Sequence, residues 1–534
     1  MAGMPDTIGV LGAGTMGSGI AQLACIAGAR TLLHDPIPEA LQKGVASIHG
    51  HIDRAVERGR MGQDQADEAK ARLHAAGELA DLSPAGLVIE AAPESLQLKQ
   101  QMFTTLAEGI VPTDCVLATN TSSLLVTAIA AAVPHPERVV GMHFFNPAPL
   151  MRLLEVVAGP ESTETALQTA RATGEAMGKI VIDAVDGPGF LVNRCNRPFG
   201  LEALKLLQER VADVPTIDRI VRLQGGFRMG PFELMDLVGV DLGFDVSRSF
   251  YEQSFYEPRW RPSMITARTV AAGHRGRKSG RGYYDYSNGT DAYRERDPEP
   301  LDPTPGEGVL VIAGDSVVAE QLGDAAAAVG WDVRTPETAG GDIPFLVLDC
   351  TLGDELPAPL EGGPQAILCA AGSLTGLDPG GGAVGFHVLP PLDSARLVEL
   401  TRGPETSESA ASAAERVFAT LGKHTAWVAD APGLVLGRML CQVINECAFA
   451  LGEGVGSAAD IDAGMIHGLN YPRGPLAWAD EIGLDHVLMV LDALYEERRE
   501  ERYRTAPVLR ELGLSGRLGR QTGLGFFEYG DDPA

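Results

Sequence analysis

A histidine and a glutamate twelve positions apart are the residues of this sequence best suited to proton transfer. His143 and Glu155 stand in the segment RVVGMHFFNPAPLMRLLEV, which spans residues 138–156. The pattern predicts that a strand carries His143 and that a second element holds Glu155. An imidazole oriented by a carboxylate can exchange a proton near pH 7, as the oxidation of an alcohol requires. A core histidine bonded to a nearby backbone carbonyl is the alternative.

The same segment occurs a second time. At residues 385–400 the sequence is GFHVLPPLDSARLVEL, in which His387 and Glu399 repeat the spacing of twelve residues. Further matches share the displacement of 244 positions: Pro147 and Pro391, Arg152 and Arg396, residues 186–190 and 430–434, and residues 229–232 and 473–476. Matches that keep one order and one register indicate a tandem duplication.

A glycine-rich turn near the start of the chain has the pattern of a dinucleotide-binding loop. A short apolar strand is predicted at residues 7–11, followed by Gly12-Ala13-Gly14-Thr15-Met16-Gly17 and then a helix. Such glycines permit a tight turn and let backbone N–H groups approach a pyrophosphate at the positive end of the helix. A purely structural glycine-rich turn is the alternative.

Asp35 ends the next predicted strand, some twenty residues beyond the glycines. A carboxylate at this place can accept hydrogen bonds from both hydroxyls of an adenosine ribose, which predicts NAD rather than NADP as the cofactor. An aspartate that caps the following helix is compatible with the same role.

Polar residues at the ends of later predicted strands complete a candidate site. In an open parallel sheet, ligands bind at the carboxyl ends of the strands, so Glu94, Ser122 and His143 are expected to converge. The alternative is that Ser122 and Ser123 cap the helix that follows them. Asn193, in the first turn of a long predicted helix, can orient a carbonyl or a hydroxyl group, or can form a local bond only.

A polar, helix-rich stretch from residue 39 to about residue 79 carries several basic side chains. Arg54 and Arg58 are four residues apart and share a helix face, so they can meet an anionic ligand. A solvated helix face is the alternative.

The second copy has lost most of this constellation. Gly314-Asp315-Ser316-Val317 replaces the glycine fingerprint and puts an acid where a pyrophosphate would lie, and about 58 residues are missing, including the basic stretch. Positions that match Ser122, Asn146 and Asn193 are, in that order, Gly372, Pro390 and Gly437. We therefore expect no NAD binding in this copy and interpret His387 and Glu399 as structural remnants.

The composition limits the classes of protein to consider. The chain of 534 residues is too long for one hydrophobic core, and its formal charge of −28 argues against a nucleic-acid or membrane-surface partner. Its seven scattered cysteines form no CxxC pattern, which favours a reducing cytoplasm and no metal site. No signal peptide and no membrane-spanning segment are predicted.

The predicted fold class is an α/β Rossmann-type doubly wound sheet plus an all-helical domain, followed by a degenerate second copy of both. The predicted boundaries are 1–184 for the NAD-binding domain, 185–292 for the first helical domain, 293–307 for a linker, 308–428 for the degenerate Rossmann-like domain, and 429–534 for the second helical domain.

The motifs GxGxxG, NTSSL, HFFNP, LLEVV and DGPGFLVNR, in this order and with Asp35, resemble the L-3-hydroxyacyl-CoA dehydrogenase family. The tandem layout is similar to its long bacterial members, which include enzymes of phenylacetate catabolism. The resemblance implies NAD-dependent, reversible oxidation of a (S)-3-hydroxyacyl-CoA in a cleft between the two kinds of domain. It suggests 3-hydroxyadipyl-CoA or 3-hydroxybutyryl-CoA as substrates, in fatty-acid or phenylacetate degradation.

The resemblance also implies residue roles. His143 corresponds to the catalytic base and Glu155 to the carboxylate that holds its imidazole, while Ser122 and Asn193 orient the substrate. The residues implied in cofactor binding are Gly12, Gly14, Thr15, Met16, Gly17, Asp35, Glu94, Lys99, Asn120, Ser122 and Asn146. The implied coenzyme A contacts lie near His51 and Arg58, although the family has a serine where this chain has His51.

Two other functions are compatible with parts of the pattern. One is an NAD-dependent dehydrogenase of a small free hydroxy acid, and the other is a non-catalytic NAD-binding scaffold. The family pairs the helical domains of two subunits, so we expect either a homodimer or a pseudo-dimer within one chain.

Overall fold

The computed structural model of the protein describes residues 3–290, 293–353 and 363–530. The strands of these residues are β1 (Thr7–Leu11), β2 (Arg30–His34), β3 (Leu73–Ala76), β4 (Leu87–Glu90), β5 (Val116–Thr119), β6 (Val139–Phe144), β7 (Leu153–Ala158), β8 (Ile180–Val185), β9 (Val309–Ala313), β10 (Asp332–Arg334), β11 (Leu346–Asp349), β12 (Gln365–Leu368), β13 (Val384–His387), β14 (Leu397–Arg402) and β15 (His424–Val428). The predicted domain boundary at residue 292 lies outside the described residues.

In each half, α-helices first alternate with the strands, and further α-helices come after the last strand. They are α1 (Thr15–Ile26), α2 (Pro38–Glu57), α3 (Gln63–Arg72), α4 (Leu96–Ala107), α5 (Val126–Ala130), α6 (Glu164–Ala176), α7 (Val192–Cys195), α8 (Arg197–Gln208), α9 (Val214–Leu223), α10 (Pro231–Val238), α11 (Val240–Gln253), α12 (Met264–Ala271), α13 (Val317–Ala328), α14 (Leu374–Leu377), α15 (Glu408–Thr420), α16 (Leu436–Gly452), α17 (Ala458–Leu469), α18 (Pro475–Ile482), α19 (Leu484–Arg498) and α20 (Pro507–Leu514).

The first eight strands form one sheet in the order β3-β2-β1-β4-β5-β6-β7-β8 within the described residues. Neighbouring strands are parallel except β6 and β7, which are antiparallel. The short strands β4 and β5 are buried along their whole length, as expected for parallel strands covered on both faces. The doubly wound sheet predicted from the sequence is confirmed, and the antiparallel pair is the part of it that carries His143 and Glu155.

The second sheet repeats this arrangement with one strand fewer among the described residues, in the order β10-β9-β11-β12-β13-β14-β15. Its antiparallel pair, β13 and β14, matches β6 and β7. Helices α2 and α3 and strand β3 have no counterpart between β10 and β11 in the described chain. The shortening of the second copy is therefore the loss of one peripheral strand with the helices that precede it.

Contacts divide the chain into two compact units, the first made of residues 1–194 and 453–469 and the second of residues 195–452 and 470–534. Within the first unit, α17 from the second half packs against β7 and β8. Within the second unit, α9 from the first half packs against β14. Since α9 and α17 stand 244 positions apart, each half of the duplication supplies the matching helix to the sheet of the other half.

The helical part of the second unit contains helices from both halves. Helix α16 packs along α8. At the end of each half, a buried aspartate binds the backbone of an aromatic segment. Asp236 accepts hydrogen bonds from the backbone N–H groups of Tyr283 and Tyr284, and Asp480 accepts the matching bonds from Phe526 and Phe527, each at 2.9 Å. The repeat seen in the sequence therefore extends to buried hydrogen bonds.

The long helix predicted to contain Asn193 is in two pieces, which corrects the sequence-based expectation. Helix α7 ends at Cys195, Asn196 stands between the pieces, and α8 begins at Arg197. Pro198 in the first turn of α8 has no N–H to donate, so the break falls where a helix can begin but not continue.

Among the described residues, no helix has both the length and the apolar character needed to span a membrane.

Candidate active site

His143 and Glu155 face each other across the antiparallel pair of strands. The two residues are register partners in β6 and β7, and the imidazole Nδ1 lies 2.5 Å from Oε2 of Glu155. Glu155 is fully buried and His143 is 5% exposed. Because a carboxylate can only accept, Nδ1 carries the proton, and Nε2 is left with the lone pair that a base needs.

The turn after β8 fixes the orientation of Glu155. Its Oε1 accepts hydrogen bonds from the backbone N–H groups of Leu191 at 3.2 Å and Val192 at 2.9 Å. The rings of Phe145 and Phe190 pack against the imidazole, with centroids 4.6 and 5.8 Å away. The carboxylate and the imidazole are therefore both held before any ligand binds.

The glycine loop between β1 and α1 has the shape of a dinucleotide cradle. A Cβ atom on Gly12 would lie 2.6 Å from the carbonyl oxygen of Ala91, and one on Gly17 would lie 1.8 Å from that of Gly12. At Gly14 the space within 4 Å is open. Two of the glycines are thus required by close packing, whereas Gly14 leaves room at the N-terminus of α1 for a pyrophosphate.

Asp35 directly follows β2 and anchors the same loop. Its Oδ2 accepts the backbone N–H of Ala13 at 2.8 Å, and its Oδ1 accepts that of Ile37 at 3.0 Å. The residue therefore lies beside the glycine turn, where the sequence analysis expects the ribose of NAD. The residues of the loop and Asp35 fit a dinucleotide of this kind.

Glu94 organises the loop that carries Ser122. Its Oε1 accepts the hydroxyl groups of Thr121 at 2.5 Å and Ser123 at 2.8 Å, and the backbone N–H of Ser122 at 3.2 Å. Burial acts to raise the pKa of Glu94, but the bond from Thr121 and the charge of Lys99 lower it overall. The carboxylate is thus an anion that shapes the loop, and Ser122 itself is exposed.

Lys99 and Glu90 form a buried ion pair behind this loop. The Lys99 ammonium lies 2.7 Å from Glu90 and 3.3 Å from Glu94. Glu90 also accepts the hydroxyl of Thr119 at 2.7 Å and the backbone N–H of Ala92 at 2.6 Å. Breaking such a buried pair leaves an uncompensated charge, so the network fixes the ends of β4 and β5.

Three asparagines predicted at the site have different settings. Asn120 accepts the backbone N–H of Phe144 at 2.8 Å and so joins β5 to the strand of His143. Asn146 is exposed, in a cis peptide bond with Pro147. Asn193 is half-buried in α7, directly after the turn that holds Glu155.

The residues implied in coenzyme A binding lie along the outer side of α2. His51, Arg54 and Arg58 are exposed and follow the spacing of one helix face, with Arg58 at the C-terminal end. The His51 ring contacts the Gln22 side chain at 3.2 Å. The structure therefore places these side chains in a row but not among the buried groups around His143.

Lys179 is a supporting residue that the sequence analysis missed. Its buried ammonium donates to the carbonyl oxygens of Ala148 at 2.5 Å and Met151 at 2.7 Å, and burial lowers its pKa to about 8. Lys423, 244 positions later, makes the matching bonds in the second half. Lys179 holds the loop after β6. The sequence could have indicated this role, because a lysine recurs at the repeat distance of 244 positions.

In the second half, the matching residues His387 and Glu399 are not hydrogen-bonded to each other. His387 and Glu399 are still register partners, but Nε2 of His387 lies 3.1 Å from Nε2 of His486. Within the described chain its Nδ1 has no hydrogen-bond partner. Glu399 instead accepts the side-chain amide of Gln224 at 3.1 Å, besides two backbone N–H groups.

The space of the second site is also filled. A Cβ atom on Gly437, the counterpart of Asn193, would lie 2.2 Å from the His387 ring, so this ring occupies the place of the missing side chain. Both imidazoles are buried, with 0% exposure for His387 and 1% for His486. A buried ring with no carboxylate bond lacks the orientation seen at His143.

The two buried imidazoles give a testable dependence of stability on pH. Burial lowers the pKa of His486 to about 4 and that of His387 well below its usual value. The unfolded chain binds these protons below about pH 6.5, so this contribution is present above that pH and is lost as pH falls toward 4. We expect His486 to account for a loss of about 2 kcal/mol in the free energy of unfolding between pH 7.5 and pH 5.

Urea unfolding of the wild type and of His486→Leu at both pH values checks this expectation. Leucine is the residue that the first half has at the matching position, Leu242. The variant is expected to lose less stability on acidification than the wild type, whatever its stability at pH 7.5. Equal losses in both proteins would contradict the assignment.

The sheet, the glycine loop and the oriented histidine define a class of protein, the dinucleotide-dependent dehydrogenases that remove a proton and a hydride from an alcohol. Among the described residues, no cluster of three or more His, Cys, Asp or Glu side chains is arranged to hold a metal ion. The groups around His143 are those of acid–base chemistry.

Comparison with known proteins gives the family. The sequence profile of the 3-hydroxyacyl-CoA dehydrogenase NAD-binding domain matches residues 7–187, and that of the 3-hydroxyacyl-CoA dehydrogenase C-terminal domain matches twice, at residues 189–286 and 433–529. The chain belongs to the 3-hydroxyacyl-CoA dehydrogenase family and is an NAD-dependent oxidoreductase. The family and the cofactor predicted from the motifs are thereby confirmed.

Some relatives match nearly the whole chain, and others match about half of it. The 3-hydroxyadipyl-CoA dehydrogenase of Escherichia coli K12 is 34% identical over 95% of this chain and 98% of its own length. The crystal structure of a 3-hydroxybutyryl-CoA dehydrogenase from the same species superimposes with a TM-score of 0.81 at 33% identity, over 96% of this chain and 99% of that one. The pig mitochondrial hydroxyacyl-coenzyme A dehydrogenase is 33% identical over 52% of this chain and 90% of its own length.

Proposed function

We propose that this chain oxidises the 3-hydroxyl group of a (S)-3-hydroxyacyl-CoA to a ketone, reversibly, with His143 as the base. The observation that carries the proposal is the 2.5 Å bond between His143 and the buried Glu155. This carboxylate is itself held by two backbone N–H groups. The pair can take up the hydroxyl proton at Nε2 while the positive imidazole is stabilised by the anion behind it.

The other residues of the site bind and orient. NAD, when bound, accepts the hydride from C3 of the substrate. The glycine loop and Asp35 bind the dinucleotide, and Glu94 holds the Ser122 loop in place. Ser122 and Asn193 orient the hydroxyl and the thioester carbonyl, while the basic face of α2 with His51 and Arg58 binds the coenzyme A part. A base contributes typically about 10²–10⁴-fold to such a rate, and alignment of the reacting groups contributes much of the rest.

The reaction is tested most simply in reverse, by the oxidation of NADH. We expect the purified chain to oxidise NADH with acetoacetyl-CoA or with 3-oxoadipyl-CoA, the oxo forms of the substrates named for its relatives. Free acetoacetate is the matched control for a dehydrogenase of small hydroxy acids. The proposal fails if neither thioester is reduced, or if free acetoacetate is reduced as fast as its thioester.

We also propose that the second half takes the place of a partner subunit. Two ion pairs that match across the repeat support this proposal. In the first unit, Nη2 of Arg194 lies 2.8 Å from Oε2 of Glu453. In the second unit, Nη1 of the matching Arg438 lies 2.7 Å from Oε2 of Glu209. Pairs that repeat in both directions are the mark of a two-fold interface between like surfaces. Here both surfaces belong to one chain.

A cytoplasmic location completes the proposal. All seven cysteines are buried as free thiols, which suits a reducing compartment.

A further inference from the structure

Helix α17 belongs to the second half in sequence, yet it lies against residues that hold His143 and Glu155. It is part of the first unit, where it packs on β7, the strand of Glu155, and on β8. Just before this helix, the carbonyl oxygen of Val455 accepts the backbone N–H of Val185, the last residue of β8, at 2.9 Å. A segment of the second half is therefore part of the surroundings of the histidine–carboxylate pair.

Gly464 brings this helix close to the turn that holds Glu155. A Cβ atom on Gly464 would lie 2.6 Å from Cγ2 of Val192. The backbone N–H of Val192 donates to the Glu155 carboxylate at 2.9 Å. Gly464 is buried and Val192 is 1% exposed, so the close contact keeps the turn in its place beside the carboxylate.

Gly468, one turn further along α17, lies beside the ring that packs on His143. A Cβ atom on Gly468 would lie 2.6 Å from Cδ2 of Leu153 and 3.3 Å from Cε1 of Phe145. The Phe145 ring in turn packs against the His143 imidazole. Because Leu153 and Phe145 are both buried, a side chain at position 468 would have to displace one of them.

The second half shows the effect of a side chain at the matching position. Gln224 matches Gly468 at the repeat distance of 244 positions. Its amide donates at 3.1 Å to Glu399, the counterpart of Glu155. Within the described residues, Nδ1 of His387 has no hydrogen-bond partner. A side chain that reaches the carboxylate is therefore found where the bond to the histidine is lost, and glycine is found where the bond is kept.

We propose that α17 of the second half positions the His143–Glu155 pair and that Gly468 is the positioning residue on which the bond between them depends. The assignment rests on the proposed function, since it concerns the base named there. Without a side chain at position 468, Phe145 stays against the imidazole, and no amide competes with Nδ1–H for the carboxylate. The first site is then complete only with a helix from the other half of the chain.

The test introduces the residue of the second half into the first. We expect Gly468→Gln to lower kcat for NADH-dependent reduction of acetoacetyl-CoA by about 10²-fold, the cost of a misplacement of about 1 Å at the reacting groups. The KM for NADH should stay near the wild-type value, because the glycine loop is unchanged. Gly468→Ala adds only a methyl group and should give an intermediate kcat. Ala459→Gln adds the same side chain at an exposed position of α17 and is the matched control with the wild-type kcat.

A proton resonance reports on the bond itself, independently of turnover. The Nδ1 proton of an imidazole in a short bond to a carboxylate resonates far downfield, and its loss in Glu155→Gln assigns it. We expect this resonance in the wild type and in Ala459→Gln, a weaker one in Gly468→Ala, and none in Gly468→Gln. Circular dichroism and the thermal midpoint verify the fold of each variant, and Gly468→Ala decides the matter if the larger side chain prevents folding.

The outcomes separate this assignment from the proposed function. A folded Gly468→Gln that keeps the resonance, or that keeps the wild-type kcat, overturns the role of Gly468. An equal fall of kcat in Ala459→Gln overturns it too, because the effect would then belong to the helix in general. A wild type without the resonance also overturns it. A wild type that reduces no thioester contradicts the proposed function, whereas loss of the resonance in Gly468→Gln would still support the positioning of the pair by α17.

Discussion

We expect the substitution His143→Gln to lower kcat for NADH-dependent reduction of the thioester by about 10²–10⁴-fold, the usual contribution of a general acid or base. Glutamine is close to histidine in size and its amide can still donate to Glu155. It cannot take up a proton near neutral pH, however, so the variant keeps the hydrogen bond and loses the chemistry. Steady-state rates at saturating NADH check this expectation, and binding of NADH, followed by its fluorescence, should stay near the wild-type level.

The duplication supplies the matched control for this variant. His387→Gln changes the same residue type at the same place in the second sheet, where the ring lies against Gly437 and His486 instead of a carboxylate. We expect its kcat to equal that of the wild type as long as the variant is folded. A loss of turnover in a folded His387→Gln, or full activity in His143→Gln, would show that the chemistry does not reside in the first half.

Much of the first site could be predicted because its chemistry is local in sequence. The glycine loop needs close backbone contacts at Gly12 and Gly17, and few residues other than glycine satisfy them. His143 and Glu155 are joined by a short connection between neighbouring strands, so a fixed spacing of twelve residues is enough to bring them together. Parallel strands buried on both faces consist mainly of apolar residues, and such runs, as in β4 and β5, can be recognised in a sequence.

The sequence predicts His387 and Glu399 to be structural remnants, but the same pattern does not predict where their side chains point. The sequence keeps His387 and Glu399 at the right spacing, yet their bond is replaced by one between Glu399 and Gln224, which is 175 positions away. Loss of the side chain at Gly437 opened the space into which the His387 ring packs. A spacing rule describes two residues on adjacent strands, whereas the direction of a ring depends on neighbours from distant segments.

The sequence did not predict the exchange of helices between the two halves, because this exchange also depends on contacts between distant segments. The boundaries predicted from the repeat place α17 with the second helical domain, but α17 packs against β7 and β8 of the first sheet. Amphipathic periodicity shows that a helix has a buried face and does not show which sheet that face covers. The break at Asn196 was missed although Pro198 marks it, since proline is tolerated in the first turn of a helix but not in its interior.

A second large effect is expected at Arg438, which joins the helices of the two halves. Its side chain is fully buried and lies 2.6 Å from Glu202 and 2.7 Å from Glu209, and it also donates to the hydroxyl of Tyr503. Glu202 is only 2% exposed, so removal of the guanidinium leaves its carboxylate buried without its main partner. We expect Arg438→Met to lower the free energy of unfolding by about 3–5 kcal/mol, measured by urea unfolding at pH 7.5.

Lys205→Met, on α8 with Glu202, is the matched control. Lys205 also pairs across the two halves, at 2.6 Å from Glu500, but this partner is 39% exposed and water can solvate it. Exposed pairs contribute about 0–1 kcal/mol, so the free energy of unfolding of the control should stay close to that of the wild type.

Adding Glu202→Gln to Arg438→Met should recover part of the stability, because the double variant no longer buries an unpaired charge. A loss below about 1 kcal/mol in Arg438→Met would mean that the contact between α8 and α16 does not hold the halves together, and the proposal that the second half replaces a partner subunit would lose its energetic basis.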